Sequence, residues 1–220
     1  YLRIAPELYL KRLVVGGMEK VYELSRVFRN EGISTRHNPE FTLLEVYEAY
    51  SDYEDMLNLT EELINMLVKE IHHNEEIEYQ GKKLSFKRPF KRMTLKESLK
   101  EIAGIDIDDY VDNVEGLISE AKKRGVKAEL KGSYWKVVNM VFEELVEDKL
   151  EGPIFITHYP AETTPLAKQD PSNPDYVERF ELFIAGREHA NAYSELNDPI
   201  RQRENFEKQV KEKAGGDDEA

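Results

Sequence analysis

Cysteine is absent from the 220 residues. That excludes a disulfide framework and thiolate chemistry, and it suits a cytosolic protein. No apolar run approaches the ~20 residues that cross a bilayer, and no signal peptide is visible, so no membrane partner is expected and the expected location is cytoplasmic. Positive charge is in deficit: 31 Lys and Arg stand against 44 Asp and Glu, a net −13. Bulk electrostatics therefore argues against nucleic-acid binding, and such a ligand would need a local basic patch or another part of the protein. There is no internal repeat and no Gly/Ser linker. What is present is 40% hydrophobic and 34% charged residues, in a chain long enough for one large domain or two small ones. High charge without cysteine is also found in thermophile proteins.

Residues 27–50, VFRNEGISTRHNPEFTLLEVYEAY, organise the chain. An alternating run places Val21, Glu23, Ser25, Val27 and Arg29 on one face. A polar loop follows, then a second alternating run with Phe41, Leu43, Glu45 and Tyr47 on one face. This predicts strand, loop, antiparallel strand. The loop is too long for a tight turn, and such loops often carry function. Arg29 offers a fork for phosphate or carboxylate. Arg36 and His37 add donors, Glu31 can accept from an exocyclic amine, and Phe41 offers a flat face to a base. Residue chemistry alone also allows a solvated hairpin with scattered charges.

Before this hairpin, residues 1–5 read as a strand, and residues 6–15 as a helix with Pro6 in its first turn and a stop at Gly16-Gly17. Glu7 lies where a helix dipole favours a carboxylate. Residues 52–74 predict a long amphipathic helix whose buried stripe is Met56, Leu59, Leu63, Leu67 and Ile71. His72 and His73 close it, with no third metal ligand in view. Residues 77–86 predict a hairpin around Gln80-Gly81, and 88–92 a connector. Thr94 and Glu97 form a capping-box pattern, Asn113 can cap a helix ending at Gly125, and Ser133 opens another with Trp135, Val138, Phe142 and Leu145 on its core face. Residues 94–150 thus read as a helical insertion. Residues 153–159 predict a buried strand, 161–176 a proline-rich loop.

A second chemical cluster lies in residues 177–199. Val177, Arg179, Glu181 and Phe183 share a strand face, Gly186 breaks the run, and REHANAYSELNDP follows with Glu188, Asn191 and Glu195. Two carboxylates on adjacent strands can hold Mg²⁺, although acidic residues are common in this chain and a solvated face is the default reading of the spacing alone. Strict alternation puts Glu188 out of phase with Asn191 and Glu195, so a bulge or a twist near Gly186 is needed to aim all three inward.

Phe28, Arg29, Glu31, His37 and Phe41 resemble motif 2 of class II aminoacyl-tRNA synthetases, and NEGISTRHNPEFTLLE is similar to the lysyl-tRNA synthetase family in particular. APELYLKRL, PAETTPLAKQDPSNPDYVERFE and FELFIAGREHANAYSELNDP extend the resemblance over most of the chain. It implies an α+β fold built on the class II antiparallel sheet, with flanking helices and the helical insertion. It implies ligation of L-lysine to tRNA(Lys) through lysyl-adenylate. Arg29, the catalytic residue, would clamp the α-phosphate and the lysine carboxylate. Glu31, Arg36, His37, Asn38 and Phe41 would bind ATP. Glu7 would meet the lysine α-ammonium, Asn191 the carboxylate, and Glu45, Tyr47 and Glu195 the ε-ammonium. Glu181 and Glu188 would hold Mg²⁺ on the ATP phosphates. Ala192 departs from the usual glycine and is expected to crowd the pocket floor.

Only the second of the family's three signature motifs is found, and its anticodon domain is not. Tyr1 stands where an initiator Met would, and the closing AGGDDEA reads as a frayed tail. The expectation is a fragment of the catalytic domain, weak or inactive alone, from an enzyme that is homodimeric when intact. Two rivals are a paralogue that lysylates elongation factor P and a non-catalytic fragment that binds nucleotide or a partner protein.

Overall fold

The computed structural model describes residues 2–30, 32–34 and 37–214, with side chains to residue 211. Glu31, Arg36 and the tail after residue 214 lie outside the described residues. The chain divides into two compact units, Tyr1–Ser51 and Asp52–Ala220.

In the first unit, helix α1 (Glu7–Val15) follows Pro6 and ends at Gly16, whose N–H returns to the Arg12 carbonyl at 2.9 Å. Strands β1 (Lys20–Phe28) and β2 (Glu40–Glu48) form the expected antiparallel hairpin. Its register sets Val27 opposite Phe41, Ser25 opposite Leu43, Glu23 opposite Glu45 and Val21 opposite Tyr47. Those residues are buried or half-buried, whereas Tyr22, Leu24, Leu44 and Val46 on the other face are exposed. The strand expected at the start of the chain is not formed by residues 2–5. One backbone bond survives, from Phe28 N–H to the Arg3 carbonyl at 2.8 Å. Pro6 has no N–H to continue a ladder.

In the second unit, α2 (Tyr53–His72) starts at a capping box in which Asp52 accepts from Glu54 and Asp55. The expected buried stripe holds only in part: Met56 packs on the core and Leu63 is half-buried. Leu57, Glu61 and Asn65 face inward with Ile64 and Val68, while Leu59, Leu67 and Ile71 are exposed. The cause is polar. Glu61 accepts the Phe90 N–H and pairs with Arg88 Nε at 3.3 Å, and Asn65 Nδ2 donates to the Phe86 carbonyl at 2.7 Å. The segment from Phe86 to Phe90 has backbone groups that need partners, and α2 supplies them.

Strands β3 (Glu76–Tyr79) and β4 (Lys82–Ser85) make the hairpin around Gln80 (φ 51°) and Gly81 (φ 77°). Both signs match a type I′ turn. The expected connector ends instead in strand β5 (Lys91–Thr94). It pairs in parallel with β6 (Ile154–Pro160), so the four-stranded sheet, ordered β5-β6-β7-β8, is mixed rather than wholly antiparallel. Between them the chain is helical: α3 (Leu95–Ser98), α4 (Val114–Lys123) and α5 (Tyr134–Leu145), capped by Thr94, Asn113 and Ser133 as the sequence predicts. Val138, Phe142 and Leu145 enter a core with Met93, Ile156 and Phe183 of the sheet. A smaller cluster joins Leu57 of α2 to Phe155, Phe180 and Leu182.

Strands β7 (Tyr176–Ile184) and β8 (Arg187–Tyr193) complete the sheet. Helix α6 (Pro199–Ala214) follows, which sequence patterning did not anticipate. Its opening is set by Asp198, whose carboxylate accepts from Ile200 N–H at 2.9 Å. Among the described residues no helix is long and apolar enough to cross a membrane.

Candidate functional site

The hairpin of the first unit presents one chemically loaded face. Arg29 leaves the end of β1, its N–H held by the Pro39 carbonyl at 2.9 Å and its Nε reaching the Ile4 carbonyl at 3.4 Å. Its guanidinium lies over the Phe41 ring, 5.2 Å from the centroid. That stack holds the fork while the side chain stays exposed to a ligand. His37 is fixed locally: its N–H donates to Ser34 Oγ at 3.0 Å, and its ring Nδ1 lies 3.1 Å from the same oxygen. Asn38 is exposed beside it.

Further along β2, Tyr47 Oη donates to Glu45 Oε2 at 3.2 Å. Burial raises the Glu45 carboxyl above its ordinary value. Glu7 adds to this, while Tyr47, Arg29 and Lys11 oppose it. Glu7 itself is paired with Lys11 at 2.7 Å, and the Lys11 ammonium lies 5.7 Å from the Tyr47 ring. The sequence reading singled out Glu7, Glu45 and Tyr47, and all lie in this network. It did not single out Lys11, although position i+4 from Glu7 on a helix is a pairing position.

In the second unit, of the bulge or twist expected from the sequence, a bulge is present. The β7–β8 register shifts between Leu182 and Phe183, pairing Leu182 with Ala190 but Phe183 with Glu188, so His189 is the extra residue. It lies within β8 rather than at Gly186, the turn residue. Glu181 is paired with Asn191, and alternation on β7 puts Phe183 on the same face as Glu181. Glu188 therefore shares the face of Glu181 and Asn191. Ala192 pairs with Phe180 and packs on the smaller apolar cluster, away from that face, so it does not crowd the site. Glu195 lies beyond the strand, exposed, bridged through its backbone to Ala167.

Glu181 is the buried centre of this face, at 8% exposure. Tyr159 Oη donates to its Oε2 at 2.6 Å, and Arg179 and Asn191 donate to its Oε1. The Arg179 guanidinium also stacks on the Tyr159 ring, 4.6 Å from its centroid. Burial, then the adjacent Glu181 charge, pushes the Tyr159 hydroxyl well above its ordinary range, so it remains a donor. A cavity of about 270 Å³ opens here, lined by Tyr159, Arg179, Glu181 and Glu188 with Glu143 and Glu147 from the helical segment. Tyr159 and Arg179 escaped the sequence reading as site residues. For Arg179 the signal existed, since period two places it on the face of Glu181.

No cluster of three or more metal-type side chains occurs among the described residues, so no all-protein metal cage is present. The donor set fits Mg²⁺ in its other mode, with one or two carboxylates completed by waters and substrate phosphates. Glu181 Oε2 accepts from Tyr159 and keeps a second lone pair for a cation, whereas Oε1 is filled by Arg179 and Asn191.

The whole chain, residues 1–220, matches the family described as tRNA synthetases class II (D, K and N). Among curated relatives it is 51% identical to a lysine--tRNA ligase of Syntrophomonas wolfei over 220 residues, which is 100% of this chain and 44% of the relative. It is 53% identical to the lysine--tRNA ligase of Carboxydothermus hydrogenoformans, covering 45% of it, and 50% identical to that of Bacillus subtilis, covering 44%. The chain thus spans less than half the length of these relatives. With its mixed α+β architecture, its motif-bearing hairpin and a match along its full length, the chain belongs to the class II tRNA synthetases of the D, K and N group.

Proposed function

We propose that this chain carries ATP-binding and lysine-binding groups of a lysine--tRNA ligase, as part of its catalytic domain with residues 94–150 as an insertion. The observation that carries the reading is the β1–β2 hairpin, where a guanidinium stacked on Phe41 and a carboxylate–phenol pair occupy one strand face. The relatives named lysine--tRNA ligase support it.

In this reading a lysine carboxylate oxygen attacks the α-phosphorus of ATP. The bond from that phosphorus to the bridging oxygen breaks, and pyrophosphate leaves. A terminal ribose hydroxyl of tRNA(Lys) then attacks the acyl carbon, loses its proton, and AMP leaves. The protein supplies position and charge. Arg29 neutralises the α-phosphate and the attacking carboxylate. Phe41 stacks on adenine, Glu31 accepts from its amino group, Arg36 and His37 hold the far phosphates, and Asn38 is a further ATP-binding residue. Glu45, Tyr47 and Glu195 are the groups proposed for the ε-ammonium. A buried ammonium costs several kcal/mol unless paired, and uncharged side chains gain nothing from those carboxylates. Glu7 accepts from the α-ammonium and Asn191 donates to the carboxylate. Glu181 and Glu188 would hold Mg²⁺, which would neutralise phosphate charge.

The test is lysine-dependent exchange of pyrophosphate into ATP by the full-length protein, with each amino acid in turn. Exchange with lysine alone supports the proposal. Exchange with aspartate or asparagine, or with no amino acid, overturns it. Phe41→Ala is expected to raise the KM for ATP by about tenfold, a loss typical of base–aromatic stacking, with a smaller rise for lysine because the ring also holds the Arg29 fork.

A further inference from the structure

We infer that Arg179 is a positioning residue that sets which end of the Asn191 carboxamide meets the substrate. This rests on the reading of Asn191 as the donor to the lysine carboxylate. An asparagine side chain can present its oxygen or its NH₂, and the wrong choice would repel an anion. Arg179 decides it. Its Nε donates to Asn191 Oδ1 at 3.1 Å, so the oxygen is spoken for and the NH₂ is turned the other way. Asn191 Nδ2 reaches Glu181 Oε1 at 3.4 Å, a long contact that uses one hydrogen. The other has no partner among the described residues, and Asn191 is exposed, so a donor faces outward.

The guanidinium is itself held on every side. Its Nη1 donates to Thr164 Oγ1 at 3.2 Å, and that hydroxyl donates to the Pro160 carbonyl at 3.2 Å. Its Nη2 pairs with Glu181, and its plane lies on Tyr159. Arg179 thus ties the end of β6 to β7 and β8. A planar fork with three occupied nitrogens fixes orientation in a way one ammonium cannot.

The test uses calorimetric titration of the full-length protein with L-lysine and with L-lysinamide, which lacks the carboxylate. The wild type is expected to prefer lysine. Arg179→Met is expected to weaken lysine binding by about tenfold, the worth of one hydrogen bond to a charged group, and to leave lysinamide binding unchanged. In an Asn191→Ala background the same substitution should change nothing further, because the amide it orients is gone. Arg179→Lys keeps the charge beside Glu181 and stands in if the methionine variant melts early. It should not restore the preference. If the wild type does not prefer lysine, the carboxylate reading of Asn191 fails and this inference with it. If the wild type prefers lysine and both Arg179 variants keep that preference, only the positioning role is overturned. Equal loss for both ligands also overturns it, since that marks general damage.

Discussion

Replacing Tyr159 by Phe removes one oxygen and little volume. The hydroxyl it removes donates at 2.6 Å to a carboxylate that is 8% exposed, from a residue that is 2% exposed. Hydrogen bonds to charged groups contribute roughly 1.5–3 kcal/mol. Arg179 and Asn191 remain on the other Glu181 oxygen, which favours the lower half of that range. The expected loss is about 2 kcal/mol, or a Tm lower by about 4–8 °C in a chain of this size. Urea unfolding followed by the fluorescence of Trp135 measures it. Trp135 is the only tryptophan and packs against Tyr134 and Tyr176 in the same unit. The effect has a pH signature. The folded hydroxyl titrates well above the ordinary 10.0, so the unfolded chain ionises first. The stabilisation is complete below that value and fades as pH rises past it. A variant within about 0.5 kcal/mol of wild type, the range of ordinary surface changes, would refute the claim that Tyr159 supports the buried charge.

Glu45 should couple lysine binding to pH. Its carboxyl is raised above 4.5 by burial, and an ammonium needs it ionised, so affinity should fall as pH drops through the raised value and binding should release protons. Calorimetry in buffers of different ionisation heat reads that release, and a heat independent of buffer would count against it. In the absence of ligand the sign reverses: the folded state holds this proton more tightly, so the group's contribution to stability weakens as pH climbs from 4.5 through the raised value. Glu61→Leu strands the buried Phe90 N–H and is expected to cost about 2–4 kcal/mol in denaturant unfolding, whereas Ile71→Lys on the exposed face should stay within about 0.5 kcal/mol. Gly186→Ala sets a Cβ 2.9 Å from the Asp148 carbonyl oxygen at φ 72°, and should lower stability by about 2 kcal/mol or more in the same assay.

What was legible from residues alone was local chemistry. Thr94-x-x-Glu97, Asn113 and Ser133 each cap the helix they announce, because a cap is a contact over three residues. Gln80-Gly81 makes its turn for the same reason. Alternation named the loaded face of the hairpin correctly, down to Glu45 and Tyr47. Helix α2 shows the limit. Its apolar residues mark two stripes, and hydrophobicity alone favours Leu59, Leu63, Leu67 and Ile71. The winning face carries Glu61 and Asn65 because backbone groups near Phe86 and Phe90 need partners. Those partners lie 21 and 29 residues away, beyond any window of periodicity.

The second cluster divides along the same line. Glu181, Glu188 and Asn191 are readable as chemistry, and their conflict with strict alternation is what demands a bulge. A period-two strand cannot present residues three apart on one face, so one extra residue must be absorbed between them, and His189 is that residue. The demand is local and therefore legible. The supports are only half so: alternation puts Arg179 on the face of Glu181, but nothing local marks Tyr159 or the Asn191 contact. Tyr159 reaches Glu181 across 22 residues, from a strand that reads as plain core, and Arg179 reaches Asn191 across 12. A buried carboxylate is tolerable only with such donors, since removing it from water unpaired costs several kcal/mol. A glutamate buried within a strand therefore requires donors, on its own strand or on a neighbouring one. Here that requirement points to the Tyr159 hydroxyl and the Arg179 fork, and the same fork leaves the Asn191 amide facing outward as a donor.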